Sequence, residues 1–191
     1  MAEIQSTIAA TEPLWVSDVL HFWFTELTAA QWFAKNDAID VQIRARFLAL
    51  HERLVAQQGL DAPSPRWALA MVVVLDQFSR NMFRGNPRAY AADQVARRLA
   101  RSAVRQGFDT TMRGDERMFL YLPFEHSENA ADQRISVELI GKLGNASWTH
   151  YAIAHQVIID RFGRFPHRNA VLDRPSSAEE IEFLKDPARA F

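Results

Sequence analysis

The chain has no cysteine, which excludes disulfides, thiolate metal sites and cysteine nucleophiles and fits a reducing compartment. Its longest uninterrupted apolar run, Trp67 to Leu75, falls far short of the ~18 residues that a membrane span needs. The start, Met1-Ala2-Glu3-Ile4, lacks a basic stretch followed by an apolar one, so no secretory signal is expected and the expected location is the cytoplasm. Glycine-rich phosphate loops and a Gly-x-Ser-x-Gly elbow are absent. His-Glu-x-x-His is missing too, because His51-Glu52 is followed by Arg53-Leu54. A ferritin-like di-iron site needs two Glu-x-x-His pairs, and the nearest approach is a single Asp18-x-x-His21. Lysine is scarce: 19 of the 22 basic residues are arginine. That bias suits bidentate anion contacts, although genomic base composition explains most of it. A net charge of −1 argues against a general nucleic-acid or membrane binder.

What is present reads as helix throughout. With 191 residues, 48% hydrophobic and 24% charged, the chain suits one domain that buries about 70% of its unfolded surface. The stretch through Thr11 is expected to be mobile, and residues 12–191 to form one all-α domain of seven or eight helices. Leu14 to Phe24 is an apolar segment rich in aromatics, suited to internal packing or to a homodimer interface. Ile39, Ile43, Phe47, Leu50 and Leu54 recur at helical spacing behind an Asn36 cap, with Gly59 as the expected stop. Ser64-Pro65 is a second start signal. Val72-Val73-Val74 has strand composition, yet one helix from Pro65 to Arg84 explains more. Asn86-Pro87 opens the next helix, which ends at Gly107. The spacing then predicts helices from Asp115 to Leu122, stopped by Pro123, from Glu128 to Leu143, and from Trp148 to Phe162, closed by Gly163. A capping box at Ser176-Ser177-Ala178-Glu179 begins a last helix through Leu184.

Three strings set charged and amide residues among aromatics at helix ends. They are Leu75 to Gly85, Tyr121 to Glu128 and Asp160 to Asn169. At ~100° per residue, Asp76, Gln77, Arg80, Asn81 and Arg84 share one arc, which is apolar upstream. Glu128 and Asp132 fall on the core face at the start of their helix, where burial demands an arginine or a metal as partner. His155 lies on an apolar face with Trp148, Tyr151 and Ile158, the position of a hydrogen-bonded core histidine. Such groups either satisfy one another in a closed network or line a pocket. The candidate pocket set is Asp76, Gln77, Arg80, Asn81, Arg84, Glu125, His126, Glu128, Asp132, Gln133, Arg161, Arg164, His167, Arg168 and Asn169.

Together with Trp32-Phe33, these strings resemble a bacterial family catalogued as a domain of unknown function, number 924. The resemblance runs from about Val19 to Leu184. It implies antiparallel helical hairpins in a tetratricopeptide-like superhelix, and it carries no established activity. The tetratricopeptide Trp-Leu-Gly-Tyr spacing is not found in the sequence. Three readings follow for the polar strings. One is a pocket that binds an anionic small molecule or peptide through its arginines. Another is an enzyme on a small anionic substrate, with Glu125, Glu128 or Asp76 and His126 or His167 as acid and base. The third is a buried structural network with no pocket. A divalent metal on Glu125, His126, Glu128 and Asp132 is conceivable, although the ligand spacing matches no known site; no other cofactor is expected.

Overall fold

The computed structural model describes residues 12–57 and 61–186; the N-terminal stretch through Thr11 and Gly59 lie outside them. Within the described residues every regular element is helical. Helix α1 (Leu14–His21) runs into a π-helical turn at Phe22–Glu26. Helix α2 (Asp37–Ala56) starts where the Asn36 side chain accepts the backbone N–H groups of Ala38 and Ile39. Helix α3 (Pro65–Val72) starts at Ser64, whose hydroxyl accepts Trp67 N–H, with proline in the first turn. It continues without a break through a π-helical segment, Val73–Phe78, into α4 (Ser79–Met82). A short 3₁₀ turn at Pro87–Ala89 precedes α5 (Asp93–Arg105), and another at Phe108–Thr111 precedes α6 (Gly114–Glu125). Then come α7 (Ala130–Gly141), α8 (Ala146–Phe162), a 3₁₀ turn at Pro166–Arg168 and α9 (Ala178–Phe183). Counting α3 to α4 as one helix gives eight.

That continuous helix is the centre of the molecule. Every residue from Ala68 to Phe78 is buried, because α1 and α2 cover it on one side and α5 and α6 on the other. An all-round apolar sequence is what such a position requires, and Val72-Val73-Val74 is helical. Phe78 meets Phe22, Trp23 and Phe47 at centroid separations of 5.9, 5.6 and 4.9 Å. The aromatic N-terminal segment therefore packs internally. Further along, α6 packs on α7 and α7 on α8, as successive helical hairpins would. A smaller apolar cluster of Ile158, Ile159, Phe165 and Phe183 ties α9 to the end of α8.

Several boundaries differ from the sequence expectation, each for a local reason. Pro123 does not end α6; it sits inside the helix, which runs on to Glu125. The next helix begins at Ala130 rather than Glu128, because Asn129 caps it by accepting Ala131 and Asp132 N–H. Asn86-Pro87 opens only a 3₁₀ turn, and α5 starts at Asp93. The last capping box is Ser177 with Glu180, one residue later than read. Gly163 does close α8, in the left-handed conformation at φ 68°.

Candidate functional site

The C-terminal ends of α4 and α6, one face of α8 and the Pro166–Arg168 turn surround a cleft of about 770 Å³. Gln77, Arg80, Asn81 and Arg84 come from the central helix, and Glu125 and His126 from the end of α6. Ser147, Trp148, Tyr151 and His155 come from α8, and His167 and Arg168 from the turn. Trp32, Phe33, Tyr90, Met118, Leu122 and Ile140 supply most of the apolar wall. Phe33 is 63% exposed and stacks on Phe119 at an interplanar angle of 13°. Trp32 is fixed beside it by a hydrogen bond from its indole N–H to Trp23 O, 2.8 Å.

Helix ends place the polar groups. The π-helical segment winds more slowly than an α-helix, which shifts the phase of the residues after it. Asp76, inside this segment, is wholly buried, while Gln77, Arg80 and Asn81 reach the cleft. Glu125 is the last residue of α6 and His126 its C-cap, where backbone carbonyls lack helical partners. Gln133 Nε2 donates to the carbonyls of Glu125 and Ser127, both at 2.6 Å. Arg168 Nη1 donates to the carbonyl of His126 at 3.1 Å. The segment that carries Glu125 and His126 is thus clamped from two sides.

Asp76 organises the floor. Its carboxylate accepts His126 Nδ1–H at 2.8 and 2.9 Å and Arg80 Nη1 at 3.2 Å, with Gln77 Nε2 beside it. Burial alone would raise its carboxyl, but Arg80, His126 and the hydrogen bonds outweigh burial and hold it well below the usual carboxylate range. Arg80 also forms a two-point pair with Asp93 at 3.0 and 3.1 Å. Burial, then the nearby Arg80 charge, lower His126 despite Asp76. The imidazole is therefore neutral at pH 7, with Nδ1 protonated toward Asp76 and the lone pair on Nε2.

A second pair lies alongside. Glu125, 5% exposed, approaches His155 Nδ1 at 3.3 Å, and the His126 and His155 rings are 6.3 Å apart. Burial, followed by the Asp76 charge, pushes the Glu125 carboxyl up to about 8. Burial brings His155 down to about 3, against the hydrogen bond its Nδ1–H donates to Tyr151 O at 2.8 Å. His167 falls to about 4, through burial and then Arg168. At neutral pH Glu125 is a carboxylic acid beside two neutral imidazoles.

A model of the family "Bacterial protein of unknown function (DUF924)" matches residues 19–188. The chain belongs to that family. A solved structure of a protein of unknown function from Agrobacterium tumefaciens is similar to it, with 37% identity and a TM-score of 0.82, covering 89% of this chain and 96% of that one. Among curated proteins nothing matches. The described residues of this DUF924 chain contain no helix long and apolar enough to cross a membrane.

Of the sequence-expected residues, Gln77, Arg80, Asn81, Arg84, Glu125, His126, His167 and Arg168 line the cleft. Asp76 lies beneath it. The others serve the DUF924 scaffold elsewhere. Glu128 pairs with Arg174 at 2.7 and 2.9 Å and accepts Phe165 N–H. Asp132 accepts Ser127 Oγ–H at 2.8 Å and pairs with Arg97 and Arg101. Arg164 pairs with Glu180, and Arg161 with Glu179. Gln133 caps α6, and Asn169 donates to Ser176. The acids near the start of α7 do meet arginines, from α5 and from the segment after α8. The four weak metal candidates are parted in this way, and no group of three potential ligands forms among the described residues. Sequence reasoning missed Tyr90 as a wall residue; His155 is the buried, hydrogen-bonded histidine expected, and its helix face also lines the cleft. The signal available there was a histidine seven residues after a tryptophan on one helix face.

Proposed function

We propose that the cleft of this DUF924 protein binds a small molecule that carries an anionic group. Its charge lies against Arg168 and Arg80, and its apolar part along Trp32, Phe33 and Trp148. Arg168 carries this reading. It is 6% exposed, and its Nε is buried with no hydrogen-bond partner among the described residues. Its nearest acid, Asp93, stands 3.7 Å away and is already held by Arg80. Tyr90 and Phe165 cover its faces at 4.7 and 4.5 Å. Burial and the Arg80 charge both work against the guanidinium. A buried cation with part of its donor fork unused costs stability until an anion completes it.

The scaffold pairs behave differently. Asp132, Glu128 and Glu180 each meet arginine in two-point or multiple contacts. Arg174 also leaves its Nε buried and unpartnered, so what sets Arg168 apart is that its acid stands 3.7 Å away, against 2.7 Å for the pair of Arg174 with Glu128.

The test is thermal denaturation with a panel of mono- and dicarboxylates and inorganic phosphate. At about 100 times its Kd, a true ligand adds about 2.7 kcal/mol, or several degrees in Tm for a chain of this size. Arg168→Gln should remove that shift. If no anion in the panel raises Tm, or if Arg168→Gln keeps the full shift, the proposal fails.

A further inference from the structure

We infer that the cleft floor is a proton-transfer centre, in which His126 is the base and Glu125 the acid acting on a carbonyl-activated C–H of the anion held by Arg168. The inference rests on the anion-binding reading above and adds a reaction and a substrate class, small 2-oxo carboxylates.

The geometry supplies the base first. His126 commits its Nδ1–H to the buried Asp76 carboxylate at 2.8 and 2.9 Å. That bond fixes the ring and its tautomer, and leaves the lone pair on Nε2. The hydrogen bonds of the His126 ring run from Nδ1 to Asp76, and His126 lines the cleft. When Nε2 takes a proton, Asp76 stabilises the imidazolium formed.

The acid follows from the neighbouring contact. His155 Nδ1 donates its hydrogen to Tyr151 O, so this nitrogen cannot accept the proton of Glu125. Burial keeps that proton on the carboxyl at neutral pH. The carboxyl lines the cleft one residue before the base. Glu125 and His126 both line the cleft, and Glu125 lies 3.3 Å from His155, whose ring stands 6.3 Å from that of His126.

Arg168 sets the register. It donates to the carbonyl of His126 itself, so the anion grip and the base are tied through one hydrogen bond. A carboxylate on Arg168 therefore brings carbons a few bonds away alongside Nε2. A neutral imidazole matches only modestly acidic C–H bonds, those next to a carbonyl. The step balances without an oxidant or reductant. Nε2 takes the proton as the C–H bond breaks, the electron pair forms C=C, and the carbonyl oxygen takes the Glu125 proton to give an enol. Reversal returns a solvent-derived hydrogen to carbon.

Exchange in D₂O reads this directly. The full chain with 2-oxobutanoate or 2-oxoglutarate should replace the C3 hydrogens with deuterium at least ~10-fold faster than buffer, followed by proton NMR. His126→Asn and Glu125→Gln should each return exchange to the rate in buffer, while the ligand still raises Tm. Either variant keeping full exchange overturns the inference. So does wild-type protein that binds these acids by Tm shift without catalysing exchange; anion binding then stands alone. If neither oxo acid binds but another anion does, the substrate class is wrong. If no anion binds at all, the reading beneath it has failed.

Discussion

Glu125 makes a quantitative test of the cleft floor. Its folded carboxyl sits at about 8 against an ordinary 4.5, raised by burial and by Asp76. Between these two pH values the unfolded chain has released its proton while the folded one retains it. The native state binds more protons, so stability must fall as pH rises through that window and level off above it. Each pH unit removes about 1.4 kcal/mol, so the full cost by pH 8 is about 5 kcal/mol. That is a large share of the 5–15 kcal/mol that holds an ordinary domain together. His155 and His167, lowered to about 3 and about 4, act in the opposite sense. Their stabilising influence grows as pH rises toward the unfolded value near 6.5 and is flat beyond it. Comparing wild type with Glu125→Gln cancels the histidine contributions, because glutamine keeps the neutral shape and removes the titration. Urea denaturation at pH 5 should give stabilities within about 1 kcal/mol of each other, and at pH 9 the variant should be more stable by about 5 kcal/mol. Parallel stability curves across this range would refute the reasoning and show a carboxyl with ordinary access to water.

Three further outcomes test the scaffold around the cleft. Asp132→Ala removes the acceptor shared by Ser127, Arg97 and Arg101; both arginines are partly exposed and can hydrate, so urea denaturation should show a loss of about 2 kcal/mol. Gly163→Ala meets no atom within 4 Å, but its φ of 68° penalises any side chain; Tm should fall by the equivalent of about 1 kcal/mol, and an unchanged Tm would show that α8 ends differently. Phe78→Ala leaves a cavity among Phe22, Trp23 and Phe47 and should cost about 3–5 kcal/mol in chemical denaturation.

Helices were legible where period, cap and burial agree. Asn36 and Ser64-Pro65 announce α2 and α3 by side chains that accept the first free N–H groups. Pro123 misleads because it removes only one helical N–H, and tertiary burial of Phe119, Leu122 and Phe124 carries α6 past it. The π-helical segment could not be read from a fixed 100° step. Within it Asp76 is buried in the core while its neighbour Gln77 reaches the cleft. Partner identity was hidden for a different reason. Asp132 reaches Arg101 across 31 positions and Glu128 reaches Arg174 across 46, and locally these arginines resemble any surface arginine.

The string from Tyr121 to Glu128 explains why polar density at a helix end marks a site without sorting its members. Once α6 stops at Glu125, successive side chains no longer share a face. Glu125 and His126 enter the cleft, Ser127 turns to Asp132, and Glu128 turns to Arg174. The last two hold the turn, while Gln133 and Arg168 occupy its open carbonyls. Without those clamps Glu125 and His126 would hang on a frayed end, where neither distance to Asp76 nor burial of Glu125 could be maintained. Residues of the same string thus divide between cleft lining and support because the chain turns there, and the support is what keeps the His126 ring against Asp76.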